Sequence, residues 1–115
     1  MNTALDRKRQ IVIEFREQAG KLNAQYETIE SRIQDMEQQL KDIEQDRNAL
    51  LGEITKGPEP DEAKQEHNAI ELRRFSFLLR FTKMQLEKLN YLKIQTDRER
   101  EALRDMIRNL KEGIF

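Results

Sequence analysis

The chain offers few side chains that could catalyse a reaction or hold a metal ion. Its single histidine, His67, lies near Glu66 and Glu71, and imidazole and carboxylate groups are common metal ligands. One histidine among scattered carboxylates is a poor ligand set, and its place in the helical repeat predicts a partly buried structural histidine instead. Cysteine is absent, which excludes disulfides and thiolate chemistry. We therefore predict no metal site.

Paired carboxylates are the other candidate for chemistry, since two of them can act as general acid and general base. Glu99 and Glu101 form such a pair in the sequence. Catalysis also needs a concave site that excludes water, which the long helices predicted below do not provide. Glycine-rich phosphate loops and paired histidines at metal-ligand spacing are missing as well. The sequence predicts neither an enzyme nor a bound cofactor.

The composition limits the class of protein. A chain of 115 residues makes at most one ordinary domain, and 37% of its residues are charged. Its net charge of −1 provides no general attraction for nucleic acid or for an anionic membrane surface. The sequence has no run of about 18 uncharged apolar residues, so we predict no membrane span and expect a cytoplasmic location. Such a composition is typical of long helices or of disorder.

A heptad repeat in the first half of the chain favours helices. Steps of alternately three and four residues meet apolar side chains at thirteen of fifteen positions, the exceptions being Lys8 and Arg47. A period of 3.5 residues sustained over seven heptads predicts a coiled coil, here with a first helix at about 4–56. The fifteen positions are Leu5, Lys8, Val12, Phe15, Ala19, Leu22, Tyr26, Ile29, Ile33, Met36, Leu40, Ile43, Arg47, Leu50 and Ile54.

Two prolines in the segment "GPEP" predict a turn at 57–59. Gly57 is expected to end the first helix in the left-handed conformation, and Pro60 is expected at the first position of a second helix at about 60–112. Two helices of nearly equal length joined by a short turn predict an antiparallel hairpin. The predicted fold class is therefore all-α, with a single coiled-coil hairpin over 1–115.

Opposite charges across this hairpin offer a check on its register. A turn at 57–59 places opposite each other residues whose numbers sum to about 117. Six pairs of opposite charge meet this condition, Glu17 with Arg100 among them, but so do repulsive pairs such as Arg9 with Arg108. Because each exposed pair contributes only about 0.3–0.5 kcal/mol, the charges give modest support to the register.

The segment at 73–92, "RRFSFLLRFTKMQLEKLNYL", carries apolar residues on two sides of the predicted second helix. One stripe, expected to pack on the first helix, comprises Phe75, Leu78, Leu79, Leu86 and Leu89 and continues through Leu103, Ile107, Leu110 and Ile114. A second stripe, roughly opposite, comprises Phe77, Phe81, Met84, Tyr91 and Leu92. A single helical partner cannot cover both stripes, so the second is the predicted protein interface.

The predicted turn is acidic, with Glu59, Asp61 and Glu62 close together. Carboxylates in the first turn of a helix stabilise the positive end of its dipole, which is the simplest explanation. The architecture is also similar to that of bacterial-type transcript-cleavage factors, which insert a long coiled-coil hairpin with an acidic tip into a polymerase channel. That similarity implies a second role for these three residues, as contacts of the tip with a large enzyme.

These observations predict a non-catalytic coiled-coil adaptor or scaffold that serves as a subunit or chaperone-like component of a larger assembly. Its partner is a second copy of the chain, giving a homodimer or higher oligomer such as a four-helix bundle, or another helical protein. A wider core within one hairpin is a third explanation for the second stripe. The alternative functions are regulation of a large enzyme through the acidic tip and peripheral membrane binding through the second stripe.

Overall fold

The chain folds as two long α-helices joined by a turn. The computed structural model describes residues 3–113, in which α1 comprises Thr3–Lys56 and α2 comprises Glu62–Glu112. These residues contain no β-strand, and the predicted all-α two-helix hairpin is confirmed. α1 begins one residue earlier than predicted, and α2 begins two residues later.

The hairpin consists of two compact units, and each pairs a segment of α1 with a segment of α2. One unit comprises Met1–Ser31 and Asn90–Phe115, of which 3–31 and 90–113 are described. The other comprises Arg32–Leu89 and includes the turn between the helices. Buried apolar residues occur in both units, Leu103 and Leu110 in the first and Ile33 and Leu79 in the second.

The buried side of α1 follows the predicted heptad repeat. All fifteen predicted positions except Leu5 are buried or half-buried, and Ile33 is the most enclosed residue of the helix. Lys8 and Arg47 are among the half-buried positions, so the repeat continues through both of its charged members. The interpretation of the 3.5-residue period as a packing face is confirmed.

The buried side of α2 is an unbroken three-four series from Asn68 to Leu110, in which five of thirteen positions are polar. Thr82 is only 4% exposed, less than Leu79 at 6%. The predicted apolar stripe is buried or half-buried at every described position, and Ile114 lies outside the described residues. The burial of Thr82 and Thr96 is not predicted, because threonine does not stand out in an apolar pattern. The series consists of Asn68, Leu72, Phe75, Leu79, Thr82, Leu86, Leu89, Lys93, Thr96, Arg100, Leu103, Ile107 and Leu110.

The end of α1 differs from the predicted left-handed glycine cap. Gly57 donates its N–H to the Glu53 carbonyl at 2.9 Å, but among the described glycines a positive φ occurs only at Gly113, at 74°. Gly57 precedes Pro58, and the residue before a proline is pushed towards extended backbone angles. A Cβ atom on Gly57 would lie 2.8 Å from the Glu53 oxygen. A glycine is therefore needed here for the close approach of two backbone segments.

The start of α2 is set by an aspartate and not by a proline. The carboxylate of Asp61 accepts the N–H of Lys64 at 2.8 Å, and the Asp61 carbonyl accepts the N–H of Gln65 at 2.9 Å. These are the two bonds of an N-cap residue. The prediction that Pro60 occupies the first helical position is wrong, because Asp61 satisfies a free amide of the first turn and Pro60 precedes it.

The contacts between the helices differ from the charge pairs predicted across the hairpin. Arg100 donates a hydrogen bond to the Asn23 side chain at 3.3 Å and lies over the ring of Tyr26, instead of reaching Glu17. Ion pairs among the described residues join positions three apart on α2, so none of the six predicted pairs across the hairpin forms there. Exposed ion pairs contribute little free energy, and the apolar layers determine the register.

We expect Gly20→Ala and Gly52→Ala each to raise the free energy of unfolding by about 1 kcal/mol, because alanine favours an α-helix over glycine. Both glycines lie inside α1, and an added Cβ atom would meet no atom within 4 Å at either position. Gly57→Ala should lower the free energy of unfolding, since its Cβ would collide with the Glu53 oxygen. Urea denaturation followed by circular dichroism measures all three variants. A destabilised Gly20→Ala would show that this position is not open.

Candidate protein interface

The side of α2 opposite its buried series carries apolar side chains that are exposed to solvent. Ile70, Phe77 and Met84 follow one another at intervals of seven residues, and Phe81 lies one turn after Phe77. All four are exposed, Phe77 at 67% and Ile70 at 55%. They belong to the unit Arg32–Leu89. We call these four residues the outer face of α2.

Two aromatic rings at the centre of the outer face stack on each other. The ring centroids of Phe77 and Phe81 lie 6.3 Å apart, and the ring planes are inclined by 14°. Residues four apart on a helix are neighbours on its surface, so this stack forms within α2 alone. The two rings therefore form one continuous apolar patch on the outer face.

All five residues of the predicted interface are exposed in the structure. They are Phe77, Phe81, Met84, Tyr91 and Leu92. Tyr91 is 62% exposed and, like Leu92, belongs to the other compact unit. Ile70 is missing from the prediction because it precedes the dense apolar segment, although its interval of seven residues from Phe77 is a usable signal.

Basic side chains accompany the outer face. Arg74 and Lys88 occupy positions within its three-four series, and Arg80 flanks it. Among the described residues, Arg74 alone of these three forms an ion pair, with Glu71 at 3.9 Å. The stretch 70–88 contains five basic and two acidic residues, a net charge of +3 against −1 for the whole chain. The outer face is thus apolar along its centre and positive around it.

α1 has no comparable surface. The exposed large apolar side chains that the structure describes on this helix are Leu5, Ile11, Ile13 and Leu51. Between Ile13 and Leu51, over roughly ten helical turns, no large apolar side chain of α1 is exposed. The solvent side of α1 is polar over this stretch, so the exposed apolar centre of the unit that contains the turn lies on α2.

The three carboxylates of the acidic turn are exposed but have different surroundings. Asp61 is engaged in capping α2, through its bond to the N–H of Lys64. Glu59 lies on the wall of a concavity of about 140 Å³, together with Pro58 and other turn residues. Glu62 is the first residue of α2, where its charge favours the positive end of the helix. The capping bond thus accounts for one of the three carboxylates.

His67 is exposed, so its predicted partly buried position is wrong. The next residue, Asn68, occupies the buried series instead and is 9% exposed. A displacement of one residue turns a side chain by about 100° around a helix, which is enough to move it from the packed side to solvent. Among the described residues, no three His, Asp or Glu side chains lie close enough together to hold a metal ion.

A polar cluster surrounds Arg100 in the unit that contains the chain termini. Its guanidinium carbon lies 3.7 Å from the ring centroid of Tyr26, and the Lys93 ammonium lies 5.6 Å from the same centroid. Arg100 also donates hydrogen bonds to Asp97 at 2.6 Å and to Asn23 at 3.3 Å. The bond to Asp97 raises the pKa of Arg100 above its ordinary value, and desolvation opposes this rise. These partners satisfy the two terminal nitrogens of the Arg100 guanidinium, while its buried Nε has no hydrogen-bond partner in the described part of the chain.

Comparison of the chain with models of protein families, with characterised proteins and with solved structures finds no match. Neither helix, over the residues described, contains a stretch long and apolar enough to cross a membrane. The function is therefore inferred from the geometry and charge of the surfaces described above.

Proposed function

We propose that the protein is a non-catalytic coiled-coil adaptor that binds a helical partner through the outer face of α2. The observation that carries this proposal is the exposure of Phe77, at 67%, in a stack with Phe81. Burying one large apolar side chain contributes roughly 1.5–3 kcal/mol, which the unbound chain does not gain at these positions. A second copy of the chain and a helix of another protein are the two kinds of partner that suit this function.

The arrangement of α2 supports a second helical partner. α1 packs on the series from Asn68 to Leu110, and the outer face lies on the opposite side of the same helix. One helix covers one such stripe of its neighbour, so α1 cannot also cover Phe77 and Met84. The seven-residue spacing of the outer face is the spacing that a further coiled-coil helix would match. The protein therefore joins one more helix to its own pair.

Regulation of a large enzyme through the acidic turn has less support. Of the three residues that would form the tip, Asp61 already has a local role in starting α2. Glu59 and Glu62 remain exposed, but two exposed carboxylates beside a helix start are ordinary for a soluble hairpin. The outer face of α2 has no such local explanation, and it is the stronger basis for a function.

Photo-crosslinking in the native cell tests the proposal. The full-length chain would carry a photoreactive phenylalanine analogue at Phe77 or, as a matched control, at Gln34, an exposed position on α1 in the same unit. We expect a covalent product from position 77 and little from position 34, and a lower yield from position 77 when Phe81→Ser is added. Mass spectrometry of the product distinguishes a second copy from another protein. Equal yields from both positions would contradict the proposal.

A further inference from the structure

We propose that the partner at the outer face is an amphipathic helix of another protein whose apolar stripe is bordered by carboxylates. This inference rests on the proposed function and specifies the chemistry of the partner. Three observations support this partner: the position of the cations of α2, the surfaces that a second copy would offer, and the interruption of the apolar surface by Lys88.

The cations lie inside the repeat of the outer face and not only beside it. Arg74 and Lys88 lie seven residues before and seven residues after Phe81, at positions of the same three-four series. They therefore border the apolar segment from Phe77 to Met84. A helix that packs against this surface meets both charges within its own contact stripe. Lys88 has no ion-pair partner in the described part of the chain, and the ion pair of Arg74 is 3.9 Å long. Both cations are therefore available to an incoming carboxylate.

A second copy of the chain fits this surface poorly. The solvent side of its α1 has no exposed large apolar residue between Ile13 and Leu51, so a symmetric pairing of two copies would set outer face against outer face. That pairing would bring two stretches of charge +3 together and place Arg74 and Lys88 of each copy in the shared interface. Like charges in an interface oppose association, whereas opposite charges select a partner.

A lipid surface fits the outer face less well than a helix does. A helix that lies in a membrane interface keeps its cations on the polar side and its apolar sector continuous. Here Lys88 lies in line with Phe77 and Phe81, where insertion would carry its charge towards the acyl chains. A partner helix can meet the same charge with one glutamate or aspartate at a suitable position. The position of Lys88 thus favours a protein partner.

Two designed helical peptides test the inference against the full-length chain. Both have leucine at the two apolar heptad positions; one has glutamate at the flanking positions, and the other has lysine there. We expect the glutamate peptide to bind about tenfold more tightly by fluorescence anisotropy, because two exposed pairs change from attraction to repulsion. Arg74→Glu with Lys88→Glu should reverse this order, and circular dichroism checks that both exposed substitutions leave the helices intact. Phe77→Ser with Phe81→Ser should abolish binding of both peptides.

The possible results separate the two proposals. Equal binding of both peptides that depends on Phe77 and Phe81 would overturn the acidic partner and leave the adaptor function standing. Binding that the Phe77→Ser and Phe81→Ser changes do not affect, or no binding of either peptide, would overturn both. A dimer in light scattering that these changes dissociate would assign the outer face to a second copy. Binding to phosphatidylserine vesicles that the same changes abolish would assign it to lipid.

Discussion

Leu79→Glu is expected to unfold the helix pair of the unit Arg32–Leu89, with a loss of about 3–5 kcal/mol in the free energy of unfolding. Leu79 is 6% exposed and lies in the buried series of α2. The substitution removes apolar burial and takes an ionised carboxylate out of water, a cost that the neighbouring Arg47, Arg80 and Lys83 offset only in part. Loss of helical circular dichroism and a lower urea midpoint measure the effect.

The matched control for this variant lies two residues away. Phe77→Glu makes the same kind of change at a residue that is 67% exposed, on the opposite side of the same helix. We expect it to change the urea midpoint little, because glutamate is a good helix former and remains in water. Equal unfolding by Leu79→Glu and Phe77→Glu would show that both residues belong to one core, and the assignment of the outer face would then be wrong.

Phe77→Glu combined with Phe81→Glu is expected to weaken binding of the partner by about 3–6 kcal/mol, or roughly 10²–10⁴-fold. Each substitution removes an aromatic side chain that a partner would bury, and the stacked pair is lost as a unit. The same variant should keep the helical content of the original chain. Titration of the partner identified by crosslinking measures the affinity, and circular dichroism measures the helix.

Exposed polar positions beside the outer face provide the control for this second experiment. Ser76→Glu and Lys83→Glu place two carboxylates on the same stretch of α2 but outside the apolar series. They should reduce affinity far less than the aromatic pair does, because an exposed charge contributes only about 0.2–1 kcal/mol. If both double variants weakened binding equally, charge rather than apolar burial would be the source of the affinity, and the adaptor interface would need to lie elsewhere.

The two helices of this hairpin differ in where their apolar side chains lie. Between Ile13 and Leu51, α1 has one apolar side and a polar solvent side, which suits a helix with a single partner. α2 has five polar residues in its packed series and, on the other side, the four exposed apolar residues of the outer face. The apolar residues of the outer face therefore lie on a side of α2 that α1 does not cover. A further helix that packed there would remove their apolar surface from water.

The burial of some residues follows from the sequence pattern, and the burial of others depends on how α2 packs on α1. The heptad positions of α1 follow from the sequence because a 3.5-residue period can be satisfied only by a facing helix. The burial of Thr82 does not follow, since threonine carries no strong preference for the interior and is buried here by its place in the series. The exposure of Ile70 and His67 has the same origin, because both depend on which residues of α2 face α1.

The sequence by itself determined that the chain forms two helices, where the first one packs, and where the turn between them lies, because the heptad period and the two prolines act over a few neighbouring positions. The tertiary structure decided how α2 is rotated and shifted against α1. Rotation places Thr82 inside and His67 outside, and shift brings Arg100 to Tyr26 instead of to Glu17. Both depend on the fit of whole layers of side chains across two helices, which contacts distant in sequence establish and which exposed charges are too weak to set.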